Sequence, residues 1–288
     1  MDWINTIVQG ALLGGLYALF AAGLAIMFGV MRIVNVAHGD FIVLAAYFAL
    51  VITQTLGIHP IAAIVLIVPL MFLVGYVLQR GLLNFTVGED ILPPLLVTLG
   101  LSVIIQNVLL ETFSADTRRL QAGWLETESF HVVGQLAVGW LPAIFFLAAI
   151  GVIIALEFLL YRTTLGRAFR SISDDGEIAR LYGVNYRHVF AVATGIALAV
   201  ASIASVLMAI RTTFDPTTGP SRLLYAFEVV IIGGLGSLWG ALVGGIILGV
   251  SQALAAGIEP GWEPLAAHLV FLAVLIVRPR GLFPKMTD

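Results

Sequence analysis

The chain has 288 residues, 60% of them hydrophobic and only 11% charged, with a mean hydropathy of +1.05. Soluble domains are typically about 45 to 50% apolar and about 25% charged, so this composition describes a polytopic membrane protein and leaves no room for a soluble domain. The net charge of −3 comes with no basic stripe of the kind that binds nucleic acid, and the absence of cysteine excludes disulfides and thiolate metal sites.

Apolar runs long enough to span a bilayer recur along the chain. The first, Val8 to Val30, follows MDWINTIVQG, which lacks the basic region of a signal peptide, so the run reads as a retained membrane helix. Its small residues, Gly10, Gly14, Gly15 and Ala18 among them, allow close helix contact in lipid. A polar break, MRIVNVAHGD, leads to spans at Phe41 to Leu56, Ile61 to Gln79 and Leu92 to Leu110, the last with Pro93 and Pro94 in its first turn. Glu111 to Gln135 is a mixed connection, and Leu136 to Leu160 spans again.

A charged island follows, Tyr161 to His188, holding five of the 14 basic and three of the 17 acidic residues. Val189 to Ile210 leads to RTTFDPTTGPSR, a loop marked by two prolines and Gly219. Leu223 to Ala256 is too long for one ordinary helix and carries a glycine cluster from Gly233 to Gly245, so it reads as a hairpin. A last span, Leu265 to Val277, precedes the tail RPRGLFPKMTD. The expected fold is all-α: one transmembrane domain over 1–288, a polytopic helical bundle of about eight spans with one broken or re-entrant glycine-rich hairpin.

Positive residues stay cytoplasmic, which fixes the island inside. Alternating the spans then puts Arg32, Arg80, Arg278, Arg280 and Lys285 inside as well, provided 223–256 enters and returns. Ten basic residues fall inside and four outside, with Glu111, Asp116, Glu126, Glu128, Asp215, Glu259 and Glu263 outside.

Motifs for covalent chemistry are missing. There is no phosphate-binding loop, no H-E-x-x-H and no G-x-S-x-G elbow, and His38, His59, His131, His188 and His268 are scattered, so neither an ATPase nor a metal site is expected. Within the island, Ser173 to Asn185 has the grammar of one short helix, with Asp174 as cap, Glu177 completing a capping box and Gly183 as terminator. Ile178, Leu181 and Tyr182 then share an apolar face, flanked by Arg180 and Asp175. Such a face suits a groove on another protein; the competing reading is a helix lying flat on its own bundle or on lipid headgroups.

Two glycine-bearing breaks, Asn35 to Asp40 and Gly233 to Ser237, mark a candidate transport pathway, because unwound backbone in a membrane must be buried in protein or face a cavity. Tight packing is the alternative, and Gly236, Gly240 and Gly244 form a small-residue ladder that packing alone explains. Glu228 is a functional candidate by its intramembrane position, though near enough to a surface to be wet. Glu157 lies close to the cytoplasmic end, and His268 reads as a packing histidine.

Four blocks in order and spacing, NVAHGDFIVLAAY, GRAFRSISDDGEIARLYGVN, GGLGSLWGALVGG and RPRGLF, resemble the permeases of branched-chain amino-acid ABC importers, of the LivH type, over essentially the whole chain. The resemblance implies a bacterial inner-membrane half-transporter. A second permease of the LivM type, two cytoplasmic subunits that use ATP and a periplasmic binding protein complete it, and no cofactor resides in this chain. It implies ATPase coupling through Gly166, Arg167, Asp174, Asp175, Glu177, Ile178, Ala179, Arg180, Leu181, Tyr182 and Gly183. The translocation path is expected past Asn35, His38, Gly39, Asp40, Gly233, Gly234, Gly236 and Ser237. Ser171, Ser173 and Tyr182 depart from the family's usual residues. The rival from another class is an ion- or proton-coupled carrier working alone through Glu228 or His268.

Overall fold

A computed structural model describes residues 3–88, 90, 92–133 and 136–283, without the side chains of 131–136, Glu177 and Arg180. Lys285, one of the tail's expected inside charges, lies outside the described residues. The helices are α1 (Trp3–Met31), α2 (His38–Leu56), α3 (Pro60–Gly81), α4 (Leu92–Phe113), the short α5 (Trp124–Thr127), α6 (Trp140–Arg162), α7 (Thr164–Asp174), α8 (Gly176–Leu181), α9 (Tyr186–Arg211), α10 (Gly219–Gly233), α11 (Leu238–Ile258) and α12 (Glu263–Val277). Among the described residues, eight helices are long and apolar enough to cross a membrane.

The bundle is built on α1 and α9, whose apolar stretches are mostly buried, while α3, α4, α6 and α12 line its rim. Leu73 and Val77 on α3, Leu99 and Val103 on α4 and Ile154 and Phe158 on α6 are exposed, as lipid-facing side chains must be. Since lipid tails are as apolar as leucine, helices gain by approaching closely, and glycine permits it. A Cβ at Gly10 would lie 2.7 Å from the Val250 Cα, and Gly14, Gly245 and Gly249 meet backbone in the same antiparallel seam between α1 and α11.

The glycine-rich run is two helices, α10 and α11, joined by a turn at Gly234–Ser237. Gly234 and Gly236 take φ of 108° and 81° there, and Ser237 Oγ accepts from Gly240 N at 3.0 Å to cap α11. Gly233 and Gly240 touch backbone to backbone, and Gly244 meets Val229, so packing accounts for Gly240 and Gly244 of the ladder, while Gly236 lies in the turn and not on α11. The tail returns to the same place: Leu282 N donates to the Ile232 carbonyl and Phe283 N to that of Gly233, both at 2.9 Å. Turn, tail and island therefore share one side of the bundle, the island side.

The expected span from Leu136 begins late. Leu136–Gly139 is a strand, β2, paired antiparallel with β1 (Ser129–Val133), and the helix starts at Trp140. Periodicity cannot separate a short apolar strand from the start of a helix.

Candidate functional site

The island folds as two helices where the sequence reads as one. Thr163, extended at φ −107° and ψ 162°, ends α6, and its hydroxyl accepts from Gly166 N at 3.1 Å to cap α7. A Cβ at Gly166 would collide with the Leu159 and Leu160 carbonyls, so only glycine lets α7 fold back across the end of α6. Ser173 Oγ donates to the Gly29 carbonyl at 2.7 Å, and Phe169 and Ile172 are buried. The amphipathic α7 is thus mounted on α1 and α6.

Asp174 does not cap the island helix; it is the last residue of α7. The chain extends at Asp175 (φ −149°, ψ 102°), whose carboxylate accepts from Ile178 N at 2.9 Å and caps α8 instead. The side chain must sit on an extended residue just ahead of the helix to reach those N–H groups, and Asp174, being helical, cannot. The capping-box partner Glu177 and Arg180 lie outside the described side chains. Gly183, at φ +82°, follows the last turn of α8 as expected. On α8 Ala179 is buried while Ile178 and Leu181 are 51% and 87% exposed, and Tyr182, just past its end, is 85% exposed. Arg167, Asp174 and Asp175 are exposed beside them.

The second constellation lies inside the bundle. After Arg32, at φ 55°, the chain stays non-helical until α2. Asn35 holds the break: its side chain accepts from Ala37 N at 3.0 Å, its carbonyl from His38 N at 3.1 Å. Val36 N donates to Thr98 Oγ1 at 3.2 Å. The His38 ring faces the Phe20 carbonyl at 3.3 Å and lies against Gly23, so α2 begins at the depth of the middle of α1. Asp40 accepts from Gln106 Nε2 at 2.9 Å, and that amide also reaches Ser102 at 3.2 Å.

Asn35, His38 and Asp40 are at most 1% exposed. Among the described residues, Asn35 Nδ2, His38 Nδ1 and Asp40 Oδ2 have no hydrogen-bond partner.

The start of α10 meets this break. Gly219 packs on Gly39 and on the Asp40 carboxylate so tightly that a Cβ on either glycine would strike the other segment. Two helices therefore open side by side within the bundle, their N-terminal dipole ends converging. Gly233, Gly234, Gly236 and Ser237 are not brought here; they form the island-side turn. The residue that meets Gly39 is Gly219, in the stretch read only as a loop, where Gly219–Pro220 just inside a helix start was an available signal.

Ahead of α10, Asp215 accepts from Thr217 N at 2.8 Å and from Thr217 Oγ1 at 2.5 Å. Partial burial raises its pKa, but hydrogen bonds from Thr217 and Thr218 and the nearby Arg222 outweigh it and hold the carboxyl below its usual 3.8.

Glu228 and His268, read separately in the sequence, are partners: His268 Nδ1 meets Glu228 Oε1 across α10 and α12, and Tyr225 stacks on the imidazole at 6.3 Å. Among the described residues no group of three or more His, Asp or Glu side chains could hold a metal ion.

Eight helices long and apolar enough to cross a membrane, two helix starts inside the bundle and a helical projection with an exposed apolar face mark a polytopic membrane protein of the permease class. The chain belongs to the branched-chain amino acid transport system permease component family, whose model matches residues 6–278. It is 27% identical to the high-affinity branched-chain amino acid transport permease BraD of Pseudomonas aeruginosa, over 98% of this chain and 96% of that one. It is 28% identical to LivH of Salmonella typhimurium over the same shares. With a probable branched-chain amino acid permease LivH of Methanocaldococcus jannaschii it shares 26% over 96% and 91%. No solved structure matches the chain.

Proposed function

We propose that this chain is the membrane-spanning half of an ATP-driven importer for branched-chain or other hydrophobic amino acids or related small compounds. It sits in a bacterial inner membrane with the island in the cytoplasm. Its partners are a second, LivM-type permease, two ATP-binding subunits and a periplasmic binding protein. The observation that carries this reading is the face of Ile178, Leu181 and Tyr182. Three large side chains stand free of the bundle, on α8 and the residue just past it, and the supporting α7 is anchored to α1 and α6. A rigid mount under an exposed apolar face suits a groove on another subunit and would carry force into the bundle. Gly166 serves that mount, while Arg167, Asp174, Asp175, Glu177, Ala179, Arg180 and Gly183 complete the docking segment.

The proposed path runs from the buried break at Asn35, His38, Gly39 and Asp40 to the island-side turn at Gly233, Gly234, Gly236 and Ser237. Unwound backbone at bundle depth supports its first part. A second reading, an ion-coupled carrier acting alone, draws on the Glu228–His268 pair. Reconstitution separates the two. Uptake that needs the co-expressed ATPases, the binding protein and ATP supports the importer; uptake by this polypeptide alone, collapsed by an uncoupler, overturns it.

A further inference from the structure

A cavity of about 510 Å³ lies at the island side between α1, α6, α7, the start of α11 and the returning tail. Its inner wall is apolar, with Ala25, Ile26, Phe169 and Leu238 all buried. Its mouth is aromatic, with Tyr161 61% and Trp239 43% exposed, the residue types that settle where hydrocarbon gives way to headgroups. From that mouth an exposed stripe, Ile154, Phe158 and Tyr161, runs along one face of α6 at i, i+4 and i+7 toward the bilayer interior.

Two opposite charges stand in the lining. Arg170 donates one N–H to the Leu160 carbonyl, and its guanidinium lies 5.2 Å from the Tyr161 ring centroid. Glu157 accepts from Trp239 Nε1 at 2.7 Å through Oε2. Among the described residues nothing else takes up the remaining Arg170 donors or Glu157 Oε1. Guanidinium offers five donors in all, so most of its capacity is open to water or to a ligand in the cavity.

We propose that this cavity binds a phospholipid with a primary-ammonium headgroup. The phosphate accepts from Arg170, the ammonium donates to Glu157 Oε1, and an acyl chain lies along the Ile154–Phe158 stripe. Each charge selects. A glycerol headgroup brings an anion with no cation, and Glu157 opposes it. A choline headgroup brings a cation without an N–H, so the charge-assisted hydrogen bond to Glu157 is lost. Because Phe169, Arg170 and Ser173 of α7 form part of the wall, the lipid also braces that helix against α1. The site rests on the membrane setting alone and not on the importer reading.

The test uses the full-length chain in nanodiscs of equal ethanolamine, choline and glycerol phospholipid, transferred to mild detergent, with retained lipid read by native mass spectrometry. Loss of one charge-assisted hydrogen bond corresponds to about a tenfold change in binding. The ethanolamine lipid should be retained about tenfold over choline lipid; Glu157→Gln should erase that preference, and Arg170→Gln should lower retention of both lipids alike. Glu157→Lys should redirect selection to the anionic glycerol lipid, an outcome that damage to the fold does not produce. No headgroup preference in the wild-type chain, a preference unchanged in Glu157→Gln, or no redirection in Glu157→Lys each overturns the proposal. Displacement of the lipid by free leucine would overturn it too, since the zwitterion recognised would then be an amino acid.

Discussion

Gly39→Ala tests the junction on which the buried site depends. A Cβ there would lie 2.8 Å from both the carbonyl carbon of Gly219 and the nitrogen of Leu223, with the Gly219 oxygen closer still. These are backbone atoms, so no rotamer change relieves the contact. Non-bonded heavy atoms sit comfortably at about 3.5 to 4.0 Å, so α2 and α10 must part by roughly 0.7 Å or more. Overpacking of this kind costs about 1 to 3 kcal/mol.

Gly100→Ala is the control, because Gly100 lies on exposed α4 with nothing within 4 Å of its added Cβ. Any helix-propensity gain, at most about 1 kcal/mol, is available to both variants. The difference between them therefore isolates the overpacking. Denaturant unfolding in detergent, followed by tryptophan fluorescence, should place Gly39→Ala about 1 to 3 kcal/mol below Gly100→Ala. Equal stabilities would show that α2 and α10 do not meet at these glycines.

Leu181→Glu should leave stability within about 0.5 kcal/mol yet reduce retention of the ATPase subunits in a pull-down tenfold or more; a loss of stability instead would place that face against its own bundle. Removing either Glu228 or His268 strands the other's polar group, at about 1 to 3 kcal/mol. A double-mutant cycle by unfolding should therefore show coupling above about 0.5 kcal/mol, and additive losses would mean the pair does not interact. Asp215 has a lowered pKa in the folded chain, so its contribution is fully present above 3.8 and is lost as pH falls through the lowered value. Unfolding profiles from about pH 6 to about pH 3 should be shallower at the acid end in Asp215→Asn, and identical profiles would remove Asp215 from that linkage.

Much of the fold was legible because lipid imposes so few solutions. Runs of spanning length can only be helices when their backbone must satisfy itself, and the arginine bias fixed which ends face the same way. Gly234 and Gly236 signalled the hairpin turn because their positive φ is what glycine allows cheaply. At Leu136–Gly139 hydropathy was silent, since four apolar residues fit either geometry. At the island, the cap read from the sequence, Asp174, is one residue early. The cap falls to Asp175 because α7, seated on α1 through Phe169 and Ser173, runs on through Asp174. That tertiary contact has no trace in local pattern.

The buried site was legible only in half, and the reason is depth. A sequence shows that a helix is interrupted but not how far into the bundle the interruption sits. Asn35–Asp40 and Gly233–Ser237 looked like equivalent breaks, yet His38 reaches the middle of α1 while Gly234 returns to the tail on the island side. The true neighbour of Gly39, Gly219, lay in DPTTGP, whose prolines and glycine also describe an ordinary surface loop. What separates the two is a contact distant in sequence. Asp40 on one helix start occupies the space that a side chain at Gly219 on the other would need. The missing Cβ at Gly219 is what brings an intramembrane carboxylate to the start of α10, so the glycine and the acid work as one feature.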